Sequence, residues 1–357
     1  MNLPDKEFLF NLLETPSPTG FEMPGQRVWA DFVKQYADEV QCDAYGSTWA
    51  TVKGKTDKVV MLSSHADEIG YIIKQITDEG FIRIDRVGGS DCATARGRQI
   101  RILGPKGDVT GIIGNTAIHL RKDSLGNEKS PKIHELWVDV GVSSRKEAEE
   151  LGLRVGLPAV YAEGPFELNG KLVSRAIDNR IGGYICAQVL KQLKESGEQP
   201  EFTVVCLNAV QEEIGGNGAT MATHRLQPDV ALCIDVTHAT DTPGICNATH
   251  GTVKLGKGPT VSHGTCNHPL VVERLMNNAE SAEIPLQHES SSRYSGTDTD
   301  SIFVSRDGVP SGLVSLPLRC MHSVVETADP TDIMHTADLM TEFVKSLQPE
   351  DTFFHTL

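Results

Sequence analysis

The sequence predicts a three-layer α/β/α protein on a central mixed, mostly parallel sheet, interrupted by a small all-β, barrel-like insertion. Three observations predict it. The apolar runs at 58–63 (KVVMLS), 203–210 (TVVCLNAV) and 230–234 (VALCI) are continuous, as strands buried on both faces are; a half-exposed strand would alternate. From about residue 70 to 165, short strand-like segments follow at close spacing with Gly turns, the texture of a small barrel or sandwich. Helix-periodic stretches accompany the long apolar runs on both sides of that region.

In chain order, Leu9, Leu12 and Leu13 give an amphipathic helix over 3–14, ended by Pro16, Pro18 and Gly20. Val28, Trp29, Phe32, Val33 and Tyr36 give a second over 21–36. Residues 41–53 read as strand, turn at Tyr45-Gly46, and strand, and 58–63 is the first buried strand. A hairpin across Asp78-Glu79-Gly80 joins strands at 71–77 and 81–87. Strands at 98–103, 109–113 and 135–140 and a short helix at 143–151 follow. The α/β texture returns with a helix over 181–195, the strands at 203–210 and 230–234, and a Pro-initiated helix over 269–283. Strands at 302–304 and 313–316 and a closing helix over 333–347 complete the chain. The core is therefore discontinuous, 1–69 and 166–357, with residues 70–165 inserted.

A length of 357 residues suits two domains. A net charge of −15 argues against a nucleic-acid partner and suits attraction of a cation such as a peptide amino terminus. Eight scattered cysteines without a CxxC pair read as free thiols in a reducing compartment. The start lacks the basic region of a signal peptide, and no apolar run is long enough to span a bilayer. The expectation is a cytoplasmic protein with no membrane partner.

Chemistry gathers where the apolar runs end. The 203–210 run stops at Gln211-Glu212-Glu213, the 58–63 run at His65 and Asp67, the 230–234 run at Asp235, and the 313–316 run leads to His322. Asp178 precedes a helix. In an open α/β sheet, carboxyl strand ends share the edge where ligands bind. Each residue alone has a plainer reading: Asp178 as a helix cap, Glu212-Glu213 as a polar loop, Asp235 as a strand terminus, His322 as a loop histidine. Asp67 either accepts from His65 or orients the turn. Together, His65, Asp178, Glu213, Asp235 and His322 form a mixed nitrogen–oxygen set suited to Zn²⁺ or Co²⁺ rather than Ca²⁺ or Mg²⁺. The two tandem acids suggest that one binds metal while its neighbour handles a proton. His263, Cys266 and His268 look like ligands by spacing, without a fourth partner; His119 and His134 read as loop or surface histidines.

Several stretches, in order, carry a resemblance: residues 15–22 (TPSPTGFE), 64–70 (SHADEIG), 176–180 (AIDNR), 211–215 (QEEIG), Asp235-Val236, 296–298 (GTD) and 321–323 (MHS). They make the chain similar to the dinuclear-metal aminopeptidases that include glutamyl, deblocking and tetrahedral (TET) aminopeptidases, some labelled endoglucanase. The resemblance implies two divalent metal ions per subunit: His65 and Asp235 on one, Glu213 and His322 on the other, Asp178 bridging. It implies Glu212 as general base toward a metal-activated water, Asp67 orienting His65 as the second catalytic residue, and a cis peptide after Asp178. It also implies peptide substrates and a homo-oligomer, with the inserted domain making dimers that assemble into dodecamers. The alternatives are a related dinuclear deacylase or carboxypeptidase, a glycosidase, and a metal-stabilised assembly protein without turnover. Side-chain preference stays open: Arg293 would favour acidic and Asp300 basic residues, if either lines the pocket.

Overall fold

The computed structural model describes residues 2–120 and 130–357; residues 121–129, within the expected insertion, lie outside the described residues. An eight-stranded sheet runs in the order Glu39–Cys42, Thr48–Val52, Thr203–Ala209, Val59–His65, Val230–His238, Ser311–Leu318, Thr260–His263, Gln287–Ser290. The middle four are mutually parallel, and antiparallel strands flank them on both sides. Those middle strands are the continuous apolar runs, buried along nearly their whole lengths.

The side-chain period of two divides each strand between two cores. Val60, Leu62, Val204, Cys206, Leu232 and Ile234 face the larger one, beneath helices Lys6–Glu14, Met23–Val33, Ile177–Ser196, Pro269–Ser281 and Pro330–Ser346. Met61, Val205, Leu207 and Ala231 face a thinner layer with Trp49, helix Asn217–Leu226 and Ile302. Helix Ile177–Ser196 is buried on every side from Ile177 to Leu190. The Trp29 indole docks on it by donating to the Gly183 carbonyl at 2.8 Å.

The inserted region forms a closed six-stranded antiparallel barrel with its own core, in the order Gly70–Ile76, Ile82–Val87, Val138–Asp139, Val109–Ile113, Gln99–Ile102, Pro158–Tyr161. A third, antiparallel sheet joins Phe166–Leu168, Lys171–Ser174 and Glu326–Ala328. The α/β class with a mostly parallel sheet and a barrel-like insertion is thus the fold observed. Among the described residues, no helix is long and apolar enough to cross a membrane.

Three local expectations need correction, and the route to Asp178 is a further finding. Residues 302–304 are not a strand: Thr299–Ile302 is a helical turn that buries Ile302 in the thin core and leaves Val304 exposed. Three apolar residues are too few for periodicity to choose between helix and strand. Within 135–140 only Val138–Asp139 is strand, because Glu135 closes a 3₁₀ turn by accepting from the Lys132 N–H at 2.8 Å. Asp235 is not a strand terminus, since pairing with Ser311–Leu318 carries its strand on to His238. The strand before Asp178 belongs to the three-stranded sheet, so Asp178 reaches the site from outside the large one.

Candidate metal centre

Register sets the site. Ala209 pairs with His65, so Gln211-Glu212-Glu213 leaves the sheet beside the end of the His65 strand. Asp235 pairs with Ser315, seven residues before His322. Asp178 arrives on the first turn of the buried helix. The close approach there needs Gly182, where a Cβ would stand 2.8 Å from Ser64 Cβ. Asp178 does not cap the helix: its two carboxylate oxygens face the imidazoles of His65 and His322, while the Asn179 side-chain oxygen accepts the Gly182 N–H at 3.1 Å. The Asp178–Asn179 peptide is cis. The Asn179 amide donates to the Ile234 carbonyl at 2.7 Å, fastening this turn to the Asp235 strand.

The five expected ligands converge as two triads, His65–Asp178–Asp235 and Asp178–Glu213–His322, with the ligand atoms of each within 4.8 Å of one another. Asp178 belongs to both. Its Oδ1 lies 3.3 Å from His65 Nε2 and its Oδ2 3.2 Å from His322 Nε2. Asp235 Oδ1 is 3.8 Å from His65 Nε2, and Glu213 Oε1 is 3.5 Å from His322 Nε2. Ligands about 2.1 Å from a tetrahedral cation stand about 3.4 Å apart, so these separations suit donors arranged around ions. Glu212 Oε2 lies 3.7 Å from His65 Nε2, beside the triads but in neither.

Asp67 is fully buried and lies against both His65 and the acid turn. His65 Nδ1 stands 3.2 Å from its carbonyl and 3.4 Å from its Oδ1. Its carboxylate accepts the N–H groups of Glu212 and Glu213 at 3.0 and 3.2 Å and the Thr19 hydroxyl at 2.9 Å, fixing the acid pair to the histidine strand.

Three participants were missed in the sequence. Glu326, buried, accepts the Asp178 N–H at 3.1 Å and the His322 N–H at 2.8 Å, so one carboxylate fixes the backbone of two expected ligands. Its only trace in the sequence is an acid four residues after His322. Asp298 is buried with neither carboxylate oxygen hydrogen-bonded among the described residues. Gly89, from the inserted region, lies so close to His322 that a Cβ would be 2.5 Å from Nδ1. The His263–Cys266–His268 spacing gathers no cluster: among the described residues, the only groups with ligand spacing are the two triads. His263 instead meets His288, and His268 stacks on His355. His119 and His134 are exposed, in short 3₁₀ turns.

The site carries more carboxylates than neighbouring cations. Burial pushes the Glu212 carboxyl up to about 10, with Asp235, Asp298 and Asp178 adding repulsion against the opposing pull of His65. Burial likewise raises Asp235, and lifts Asp298 to about 7. Hydrogen bonds to Asp178 and Glu213 raise the His322 imidazole to about 11. Among the described residues, no Lys or Arg lines the adjoining cavity of about 510 Å³. A buried excess of negative charge is costly unless cations compensate it. Divalent ions fit this donor set on charge, spacing and chemistry.

The sequence pattern of the M42 glutamyl aminopeptidase family matches residues 46–339. Lysyl aminopeptidase of Pyrococcus furiosus is 34% identical over 351 residues, covering 97% of this chain and 99% of that protein. Among solved structures, the TET aminopeptidase of the marine-sediment Thaumarchaeota archaeon SCGC AB-539-E09 superposes with a TM-score of 0.91 at 32% identity, covering 97% of each chain. The TET1 peptidase of Pyrococcus horikoshii superposes at 0.85 with 29% identity, over 96% of this chain and 99% of that one. Fold, paired triads and a pattern spanning most of the chain lead to one conclusion: the chain belongs to the M42 glutamyl aminopeptidase family.

Proposed function

We propose that this chain is a metal-dependent aminopeptidase with two divalent cations per subunit. His65 and Asp235 would hold one, Glu213 and His322 the other, with Asp178 shared between them. The observation that carries the reading is the pair of triads sharing Asp178, with Glu212 beside both and belonging to neither. The mixed imidazole–carboxylate donors favour zinc or cobalt. Bound there, such cations supply Lewis acidity, lowering the pKa of a water and polarising the scissile carbonyl.

The chain's residues do the rest. Glu212 takes the proton of the attacking water and returns it to the departing amine. Asp67 holds the Glu212 backbone at the strand end, and Glu326 does the same for Asp178 and His322. These last two are positioning residues. The acidic cavity attracts the ammonium of a free peptide terminus, which favours exopeptidase action.

The barrel is the proposed dimer contact: Ile112, Val155 and Leu120 are 51%, 57% and 72% exposed on it. The Pyrococcus horikoshii TET1 peptidase can assemble into a tetrahedron or a large octahedral shell, which supports a higher homo-oligomer here. Eight free thiols agree with a reducing, cytoplasmic setting.

Chelated protein, restored with Zn²⁺, Co²⁺ or Mn²⁺, tests the reading on peptides with free and with acetylated amino termini. Cleavage is expected only with metal and only at free termini. Cleavage of blocked peptides would make it a different hydrolase, and metal-independent cleavage would remove the mechanism.

A further inference from the structure

The family is described by glutamyl activity, while the Pyrococcus furiosus relative is named for lysyl activity. Membership therefore leaves the sign of the preferred side chain undecided, and this chain's own pocket must settle it. The cavity beside the expected ligands is also lined by Thr237, Ser295, Thr297, Asp300 and Ser301, and Asp300 carries the one charged side chain of these five. Arg293, the other candidate, is not part of the lining; its guanidinium sits 5.9 Å from the exposed Tyr294 ring.

We propose that Asp300 selects peptides whose amino-terminal residue carries a cationic side chain, lysine or arginine. This rests on the aminopeptidase reading above. The Asp300 carboxylate is fastened before any substrate arrives. Its Oδ1 accepts the Ser295 N–H at 3.0 Å and its Oδ2 the Gly296 N–H at 2.9 Å. The Cys266 thiol also hydrogen-bonds this carboxylate, which still leaves a lone pair for an ammonium or guanidinium, and a fixed acceptor loses little entropy on binding. The Ser301 hydroxyl offers a further acceptor in the same lining. A glutamyl side chain would face Asp300 and the acid cluster, with no Lys or Arg among the described lining residues to receive it. A leucyl side chain would cover polar groups without satisfying them.

The test is kcat/KM of the cation-loaded enzyme on lysyl, arginyl, norleucyl, leucyl and glutamyl anilides, with competition by lysinamide and norleucinamide as a binding readout. Lysine and norleucine match in length, so their ratio isolates the charge without a mutation. Wild type is expected to favour lysyl over norleucyl by about tenfold or more, and over glutamyl by a wider margin. Asp300→Asn should lower the lysyl rate at least several-fold more than the norleucyl rate, with the two inhibitors converging. Preference of wild type for glutamyl or leucyl substrates would overturn the assignment while leaving the aminopeptidase intact. An equal loss on all substrates in Asp300→Asn would make Asp300 a loop-shaping residue and overturn it too. No hydrolysis of any anilide would remove both readings.

Discussion

Asp67 and Glu68 are neighbours in the chain, both buried, and they open onto two differently balanced clusters. Glu68 faces two guanidiniums, Arg175 and Arg180, and also accepts the Ser17 N–H at 2.9 Å. The same arginines reach the carbonyls of Leu12, Glu14 and Thr15, so the cluster ties the first helix to the buried one. On the Asp67 side stand Asp178, Glu212, Glu213, Asp235 and Asp298, with two imidazoles as the nearby positive partners. A carboxylate cluster that carries its own guanidiniums is complete as protein. One that lacks them invites an external cation. Local charge balance, more than acid count, separates the brace from the proposed reaction centre.

Four measurements test this contrast, from the largest expected effect downward. Glu212→Gln should lower kcat by about 10²–10⁴ with metal content unchanged, since general acid–base transfer contributes about that much. Elemental analysis beside single-turnover assays checks it, and near-normal turnover in a fully loaded variant would refute the proton role. On the balanced side, Arg180→Met should cost about 3–5 kcal/mol of stability in denaturant melts, the usual penalty for breaking a buried pair. Metal stoichiometry should survive in the fraction that stays folded; loss of bound metal there would mean the two clusters are not separable.

Glu326→Gln should weaken cation affinity by about 10–100-fold, the scale for groups that orient ligands. An amide oxygen can keep one of the two backbone donors, while its NH₂ repels the other. Competition with a chromogenic chelator reads this, and unchanged affinity would assign Glu326 to packing. The smallest effect concerns pH. Without metal, Glu212 holds its proton to about 10 and His322 to about 11. Both groups bind more protons folded than unfolded between their ordinary ranges and those values, so stability must fall as pH rises through that window. Chelated protein should therefore lose stability in denaturant melts as pH rises from 7 to 9. Cation-loaded protein should lose less, and equal slopes would deny that the ions replace those protons.

Much of this was legible in the chain. The runs at 203–210 and 58–63 read as central strands because their apolar residues are consecutive rather than alternating, and a period of two then fills two cores. Gly turns at short intervals marked the barrel. Where the reading slipped, local information was too thin. The 302–304 segment is a helical turn because Ile302 packs beneath the sheet, and nothing in three residues encodes that contact.

Sequence alone determined which side chains were available and which strands would carry them, since hydrophobic period and residue chemistry are local properties. It could not rank Asp178 as cap or ligand, because that depended on a second sheet delivering it between His65 and His322. Nor could it reveal that Glu326 holds both of those backbones, that Gly89 of the inserted region packs against His322, or that Asp300 rather than Arg293 lines the cavity. Those outcomes turn on register and crossing of segments far apart in the chain. Only the folded molecule fixes which charges meet and which remain unbalanced.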